Sequence, residues 1–187
     1  LPEALFLVLD PKRAKRGGQG NAAGEIKDLR ISGAEARAIA PVIARQSVQG
    51  FLIGVLPGAG ATIASFLGYA VERNIAKGKE QAEFGKGSIK GVAAPETANN
   101  AACTGSFVPL LTLGIPGSGT TAILLGALLA INVAPGPRLM VDRPEIFWSV
   151  IISMYLGNVV LLILNLPLIP YIARLLAVPR NYLIPFI

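Results

Sequence analysis

Two short segments of the chain carry the residues best suited to binding a ligand. They are LPGAGAT at 56–62 and IPGSGTT at 115–121, 59 residues apart, and each is a Pro-Gly-x-Gly-x-Thr motif inside an apolar run. Proline and glycine interrupt helices, so a new half-helix is expected directly after each motif's glycines. The free N–H groups at a helix start carry partial positive charge and bind anions. The motifs therefore predict two anion-binding helix starts.

The predicted site uses both the backbone and the hydroxyl groups of the two motifs. Glycine lets a ligand approach the backbone closely, and a hydroxyl group donates a hydrogen bond to a carboxylate or binds a cation through its oxygen. The predicted substrate-binding residues are Gly58, Ala59, Gly60, Ala61 and Thr62 in the first motif and Gly117, Ser118, Gly119, Thr120 and Thr121 in the second. The alternative is that both motifs are kinks in packed membrane helices, where glycine and proline are frequent.

A third polar cluster lies in AAPETANNAACTGS at 93–106. Pro95 is expected at the first position of a helix, which would place Glu96 in the first turn and the two asparagines one turn later. Asparagine amides donate to carboxylates, and their carbonyl oxygens suit a hard cation such as Na+. We predict that Asn99 and Asn100 bind substrate and that Glu96, Asn99 and Asn100 hold a coupling ion. The alternative roles are hydrogen bonding between helices and a helix cap at Glu96.

The residue types argue against several other chemistries. The chain has no histidine and one cysteine, Cys103, so it offers no histidine base and no intrachain disulfide. The glycine spacing at 114–121 is that of a nucleotide-binding P-loop, but Thr120 occupies the position of the phosphate-binding lysine. We therefore expect no enzyme activity, no resident metal and no cofactor apart from a coupling Na+ or H+.

The segments around the motifs are long enough to enter or cross a membrane. Residues 46–71, 97–137 and 146–173 contain no charged side chain. A bilayer span needs about 20 apolar residues, whereas the exposed face of a soluble helix carries charges. The sequence therefore predicts an all-α integral membrane protein in contact with the lipid bilayer, rather than a soluble helical domain.

Basic residues predict which ends of these segments face the cytoplasm. Eight Lys or Arg residues lie in 10–45 and five in 72–91, so both stretches are expected on the cytoplasmic side. The 26 residues between them are too few for two spans of about 20 residues each. We predict a re-entrant hairpin with its tip at 57–60; the alternative is a single span. Because the basic residues lie in the connections between apolar segments, nucleic acid is not an expected partner.

The chain is predicted to divide into seven segments. The predicted order is a basic cytoplasmic linker at 1–34, a first broken helical hairpin at 35–76, a basic cytoplasmic loop at 77–92, a second broken helical segment at 93–134 with its tip at 116–119, a loop at 135–145, a transmembrane helix at 146–173, and a loop with the start of a further membrane segment at 174–187. Ser32 is expected to cap the first helix. The second broken segment is either a hairpin or a single discontinuous crossing.

Three longer stretches resemble the TctA-type large permease subunit of tripartite tricarboxylate transporters. They are GVLPGAGATIASFLGYAVE at 54–72, FGKGSIKGVAAPETANNAA at 84–102 and VPLLTLGIPGSGTTAILLGALL at 108–129, followed by PGP at 135–137. The resemblance implies a multi-pass permease of the bacterial inner membrane that takes up tricarboxylates or related organic carboxylates, coupled to a Na+ or H+ gradient. The partners it implies are a small membrane subunit and a periplasmic solute-binding protein.

The same resemblance implies how the segments fit a larger architecture. This chain would be most of the second half of an inverted-repeat, elevator-like transporter, with residues 1–34 linking the two halves. Broken helices also build selectivity filters, so an anion channel is the alternative function. Neither the carboxylate nor the coupling ion follows from the shared motifs.

Overall fold

The computed structural model describes residues 31–176, with the side chains of all but 170 and 173–176. Helices and no strands make up the regular structure of this part of the chain, which confirms the predicted all-α class. The helices are α1 (Gly33–Val55), α2 (Gly60–Ile75), α3 (Lys79–Glu83), α4 (Ile89–Gly105), α5 (Phe107–Leu113), α6 (Gly119–Ala130), α7 (Leu139–Asp142) and α8 (Pro144–Leu176). The linker predicted before residue 31 and the segment predicted after residue 176 lie outside the described residues.

The described residues belong to two units, of which residues 32–152 form the larger. This unit contains α1 to α7 and the first turns of α8, and therefore both Pro-Gly motifs. The rest of α8, from residue 153, belongs to the other unit.

α1 begins at the residue after Ser32, as the sequence predicts. The Glu35 N–H donates to Ser32 Oγ at 3.2 Å, and the Ser32 N–H donates to the Glu35 carboxylate at 2.7 Å. This capping box satisfies two N–H groups that the start of a helix would otherwise leave unpaired. The expected cap at Ser32 is confirmed.

α1 and α2 form an antiparallel hairpin, and α4 packs parallel to α1. Residues 56–59, here called the first break, connect α1 to α2, and Arg45 of α1 lies level with Glu72 near the end of α2. Along α1 and α4, by contrast, contacts advance in the same direction, from Gly50 against Ala98 to Gly54 against Ala102. The three helices therefore share one interface.

This interface is a stripe of buried residues spaced four apart on each helix. The stripe residues are Gln46, Gly50 and Gly54 on α1, Ala64, Gly68 and Glu72 on α2, and Ala94, Ala98 and Ala102 on α4. A four-residue spacing keeps side chains on one helix face. A Cβ atom added at Gly50 or Gly54 would overlap the backbone of Ala98 or Ala102, so α1 and α4 meet backbone to backbone.

α4 begins at Ile89, six residues before the predicted start at Pro95, so that prediction is wrong. Ser88 supplies the cap, because its Oγ accepts a hydrogen bond from the Gly91 N–H at 3.2 Å. Residues ahead of the proline, such as Ala94, are buried in the shared stripe, and this packing extends the helix through Pro95. Glu96 consequently lies in the middle of α4, away from the positive end of the helix dipole.

The second motif interrupts the path from α4 to α6. α5 follows α4 after one residue, Ser106, and ends at Leu113; the next residue, Gly114, has a φ of 72°, which suits glycine. The connection at 114–118, here called the second break, then returns along α5, since a Cβ atom on Gly117 would lie 3.1 Å from Ser106 Cβ. α6 starts from there and packs its Leu128 against Leu111 of α5. The chain thus enters this segment at one end and leaves at the other.

Within residues 31–176, two helices are long and apolar enough to span a membrane: α1 and the Pro144–Ile169 part of α8. The most apolar stretch of the latter has none of its residues buried. α8 covers the whole of 146–173, where the sequence predicts a transmembrane helix; the helix is present, and its crossing of a membrane stays a prediction. Exposed aliphatic side chains along it form a surface that suits lipid.

We predict that Gly54→Ala destabilises the protein, although alanine is normally the better helix former. The added methyl group must displace the backbone of Ala102, which costs about 1–3 kcal/mol or more. The matched control is Gly126→Ala in α6, where an added Cβ meets no atom within 4 Å and stability should stay unchanged or rise. Thermal unfolding of the purified protein in detergent measures both. Equal effects at the two glycines would contradict the close packing of α1 and α4.

Candidate functional site

The two breaks lie against each other. A Cβ atom on Gly117 would lie 3.6 Å from the carbonyl oxygen of Gly54, at the end of α1, and one on Gly60 would lie 3.9 Å from the carbonyl oxygen of Gly117. Gly60 and Gly119 each begin a helix, so the starts of α2 and α6 are neighbours. Motifs that are 59 residues apart in the sequence are thus joined in one location.

The two helix starts differ in how they are capped. At the second break the Ser118 N–H donates to Thr121 Oγ1 at 2.8 Å, and the Thr121 N–H donates to Ser118 Oγ at 3.3 Å. This box occupies part of the first turn of α6. At the first break the equivalent position is Ala59, and no side chain caps α2. The first-turn N–H groups of α2 are therefore the more available to a ligand.

Hydroxyl groups at equivalent positions of the two motifs have different surroundings. Thr121 is buried, and its hydroxyl donates to the carbonyl oxygen of Ser118 at 2.9 Å. Its counterpart Thr62 is exposed, as is Thr120, and no hydrogen bond to another described residue engages either side chain. The accessible hydroxyls of the joined breaks are consequently those of Thr62 and Thr120, while Thr121 holds the second break in shape.

The remaining motif residues range from exposed to buried around the same location. Gly58 and Gly119 are exposed, and Gly117 is buried beneath the first break. Gly58 and Gly60 have φ values of 83° and 67°, a backbone conformation that residues other than glycine rarely adopt. The partly buried members of the predicted site are Ala59, Gly60, Ala61 and Ser118.

Asn99 connects α4 to the first turns of α2. Its Nδ2 donates to Ser65 Oγ at 3.1 Å, and the Ser65 hydroxyl donates to the carbonyl oxygen of Ala61 at 3.0 Å. Asn99 therefore lies beside the uncapped start of α2. Its Oδ1 accepts only a long contact of 3.8 Å from the Cys103 thiol, and thiols are weak donors.

Asn100 and Glu96 are arranged differently from Asn99. The Asn100 Nδ2 donates to the carbonyl oxygen of Glu96, one turn earlier on the same helix, at 2.8 Å. Both residues are exposed. The structure thus directs Asn99 towards α2 and leaves Glu96 and Asn100 on an open face of α4.

A buried charged network lies at the other end of the α1–α2 hairpin, among residues that the sequence analysis did not assign to a site. Arg45 Nε donates to one Glu72 oxygen at 2.6 Å and Arg45 Nη2 to the other at 2.9 Å, which is a bidentate pair. Gln46 Nε2 also donates to Glu72, at 2.9 Å. Glu72 is 3% exposed and Gln46 is fully buried, whereas the Arg45 side chain is 42% exposed.

A symmetry in the sequence could have identified this pair. Arg45 and Glu72 bound the first uncharged segment and lie equally far from its centre, which falls in the first break. An antiparallel hairpin with its tip at the motif must bring such residues level with each other. Without the hairpin, the two charges mark only the borders of an apolar segment.

Comparison with known proteins identifies relatives of this chain. All 187 residues match the model of the tripartite tricarboxylate transporter TctA family. One relative in Agrobacterium vitis, an uncharacterized protein in the TAR-II ttuC' 3' region, is 50% identical over 138 residues, which are 74% of this chain and 56% of the relative. Another from the same organism, an uncharacterized 52.8 kDa protein in the TAR-I ttuC' 3' region, is 44% identical over 162 residues, 87% of this chain and 32% of the relative.

The matched part of this chain spans between about a third and just over half of each relative. No solved structure matches the chain.

We predict that the two partners of the buried ion pair differ in their contribution to stability. Arg45→Met leaves the Glu72 carboxylate buried with the Gln46 amide as its one remaining hydrogen-bond donor among the described residues, which should cost about 3–5 kcal/mol. Glu72→Gln leaves a half-exposed guanidinium that water can solvate, so the cost should be about 1–2 kcal/mol. Unfolding of the purified variants in detergent gives both values.

The control for this pair is Arg73→Met on the same helix as Glu72. Arg73 is exposed and its side chain forms no ion pair with any described residue, so stability should change by less than about 0.5 kcal/mol. Equal losses of unfolding free energy in Arg45→Met and Glu72→Gln would show that burial of the carboxylate does not determine how much stability each variant loses.

Proposed function

Because the chain belongs to the tripartite tricarboxylate transporter TctA family, we propose that it forms the carboxylate-binding part of a permease subunit. In this proposal the permease takes up tricarboxylates or related organic carboxylates by secondary active transport. The observation that carries the proposal is the contact between the two breaks, which joins two helix starts in one location. Paired discontinuous helices with adjacent starts are typical of the substrate sites of secondary transporters.

The uncapped start of α2 is the proposed main contact for a substrate carboxylate. Its first-turn N–H groups lack a side-chain cap, and the exposed hydroxyl of Thr62 lies in the same turn. Thr120 presents a second exposed hydroxyl from α6. Hydrogen bonds from such donors stabilise a charged acceptor more than a neutral acceptor, which favours an anionic substrate.

The full proposed site keeps the residues predicted from the sequence. The proposed substrate contacts are Gly58, Ala59, Gly60, Ala61, Thr62, Asn99, Asn100, Gly117, Ser118, Gly119, Thr120 and Thr121. Among these, Ser118 and Thr121 act by shaping the second break. Glu96, Asn99 and Asn100 remain the proposed ligands of a coupling Na+ or H+, with Asn99 nearest the substrate.

The proposed orientation places the basic loop between α2 and α4 in the cytoplasm. The α1–α2 hairpin then enters and leaves on the cytoplasmic side, as a re-entrant element. α4 and α5 contain 24 residues, about 36 Å of helix at 1.5 Å per residue, which is enough to cross a hydrocarbon core of about 30 Å. The loop after α6 lies on the opposite side, and α8 returns across the membrane.

The proposed setting is the bacterial inner membrane, with a small membrane subunit and a periplasmic solute-binding protein as partners. The proposal includes a second half of the permease, related to this one as an inverted repeat and moving like an elevator. No catalytic step is proposed.

Transport by the complete permease with its partners should saturate with carboxylate concentration and stop when the ion gradient is collapsed. Uptake of radiolabelled citrate by cells, with and without an ionophore, measures this. An anion channel is the second candidate, because broken helices also line selectivity filters. Ohmic single-channel currents in planar bilayers would contradict the transporter and favour the channel.

In the same assay, Thr62→Val should reduce uptake by roughly tenfold or more, because it removes a hydroxyl donor from a charged ligand while keeping the side-chain shape. The matched control is Thr112→Val in α5, whose hydroxyl donates to the carbonyl oxygen of Val108 in its own helix at 2.7 Å. Expression and membrane insertion should be normal in both variants. Unchanged uptake in Thr62→Val would remove this hydroxyl from the substrate site.

The proposed orientation predicts which surface residues are reached from each side of the membrane. In a background with Cys103→Ala, cysteines at Arg37 and Lys77 should react with a membrane-impermeant maleimide only from the cytoplasm. A cysteine at Met140, in α7, should react only from the periplasm. Labelling of all three positions from one side would refute the single discontinuous crossing formed by α4 to α6.

A further inference from the structure

A cavity of about 590 Å³ lies in the connection between α6 and α8. We call it the arginine cradle. Its lining residues are Asn132, Val133, Ala134, Gly136, Pro137, Arg138, Leu139, Asp142 and Arg143. α6 contains 12 residues, so its far end is about 18 Å from its start at the second break. The cradle is therefore at the opposite end of α6 from the proposed substrate contacts at 117–121, although Gly114, the first residue of the second break, lies against Pro135 of the connection.

The lining carries a net positive charge. Arg138 and Arg143 contribute two positive charges and Asp142 one negative charge, which leaves one positive charge in excess. Arg138 donates to Asp142 at 3.2 Å in an exposed pair, which is a weak interaction. The Arg143 guanidinium forms no ion pair or hydrogen bond with any described residue, and Glu145, the nearest carboxylate after it, does not line the cavity.

The backbone of the cradle is held in place before any ligand binds. Val133 and Leu139 are buried in a cluster with Leu111 and Leu128, which fixes the connection against α5 and α6. The Gly136 N–H donates to the carbonyl oxygen of Leu111 at 3.2 Å. Further backbone bonds, from Leu139 to Gly136 and from Arg143 to Leu139, fold the connection around the cavity. The arginines thus project from an ordered frame.

The presence of two arginines in this connection also needs an explanation. In the proposed orientation, on which this step rests, the cradle lies on the periplasmic side. Short loops on that side usually carry few Lys or Arg residues. An ordered cavity with an unpaired guanidinium is a good receptor for a planar anion, because arginine binds a carboxylate through two parallel hydrogen bonds.

We propose that the arginine cradle is a second binding site for a soluble organic carboxylate. Arg143 binds the carboxylate, and Arg138 gives up its contact with Asp142 to bind it as well. The site captures substrate on the side opposite the basic loop, before the substrate reaches the two breaks. Asp142 weakens this capture, because its carboxylate competes with the ligand for Arg138.

The test uses Trp148, the only tryptophan in the chain, which lies five residues after Arg143 in the first turns of α8. Citrate is titrated into the purified chain in phosphatidylcholine nanodiscs while the fluorescence of Trp148 is recorded. Citrate should give a saturating change, and trimethyl citrate, which has the same skeleton without charge, should give none.

Three variants decide whether the response belongs to the cradle. Arg143→Gln should weaken citrate binding about tenfold, through loss of a charged hydrogen-bonded contact. Asp142→Asn should strengthen it about threefold, by freeing Arg138, and a misfolded protein would not gain affinity. Arg73→Gln, on the opposite side, is the matched control and should bind as the unaltered chain does.

Other outcomes overturn the proposal. Citrate affinity that is unchanged in Arg143→Gln, or weakened in Asp142→Asn, excludes the cradle. If Thr62→Val removes the response while Arg143→Gln does not, the response comes from the two breaks, so the cradle fails and the proposed function stands. If citrate binding depends on Arg143 but the permease shows no gradient-driven uptake, the cradle stands and the proposed function fails. A change caused by phosphatidylglycerol without any response to citrate would identify a lipid phosphate as the occupant.

Discussion

The backbone contact between α1 and α4 is the constraint on which the larger unit depends. Gly50 and Gly54 allow α1 to approach the backbone of Ala98 and Ala102 more closely than any side chain would permit. Lipid tails are as apolar as leucine, so membrane helices gain little from burying large aliphatic groups and associate through such close packing instead. The same contact places the end of α1 beside Gly117, and the two breaks are joined only because these helices are so close.

The stripe that contains these glycines also holds the polar residues of the hairpin. Gln46 and Glu72 continue the four-residue spacing away from the first break and bind Arg45 there, so that one face changes from close backbone packing to a charged network. A buried charge is tolerated when it is paired and fully hydrogen-bonded. The hairpin is thus fixed at both ends, by backbone contact near the proposed substrate site and by an ion pair near the basic loop.

The two motifs are near copies in sequence but not in structure. Ser118 and Thr121 cap each other and stabilise the start of α6, whereas alanine at the position equivalent to Ser118 leaves α2 without a side-chain cap. The difference depends on one hydroxyl group. It gives the joined breaks an ordered half and an open half, and a ligand that needs N–H donors finds them mainly at α2. At the other end of α6, the arginine cradle adds a second, cationic surface.

Composition and local pattern determined much of this protein without a structure. Long uncharged segments predicted membrane helices, the Pro-Gly motifs predicted where helices break, and Ser32 predicted where α1 begins, because each depends on neighbours in the sequence. The start of α4 could not be predicted in this way, since the burial of Ala94 and the cap at Ser88 outweigh the preference of Pro95 for a first turn. The contact of the two breaks, the buried Arg45–Glu72 pair and the different roles of Thr62 and Thr121 were decided by tertiary structure alone. They depend on distances between segments that are remote in the sequence, and packing sets those distances.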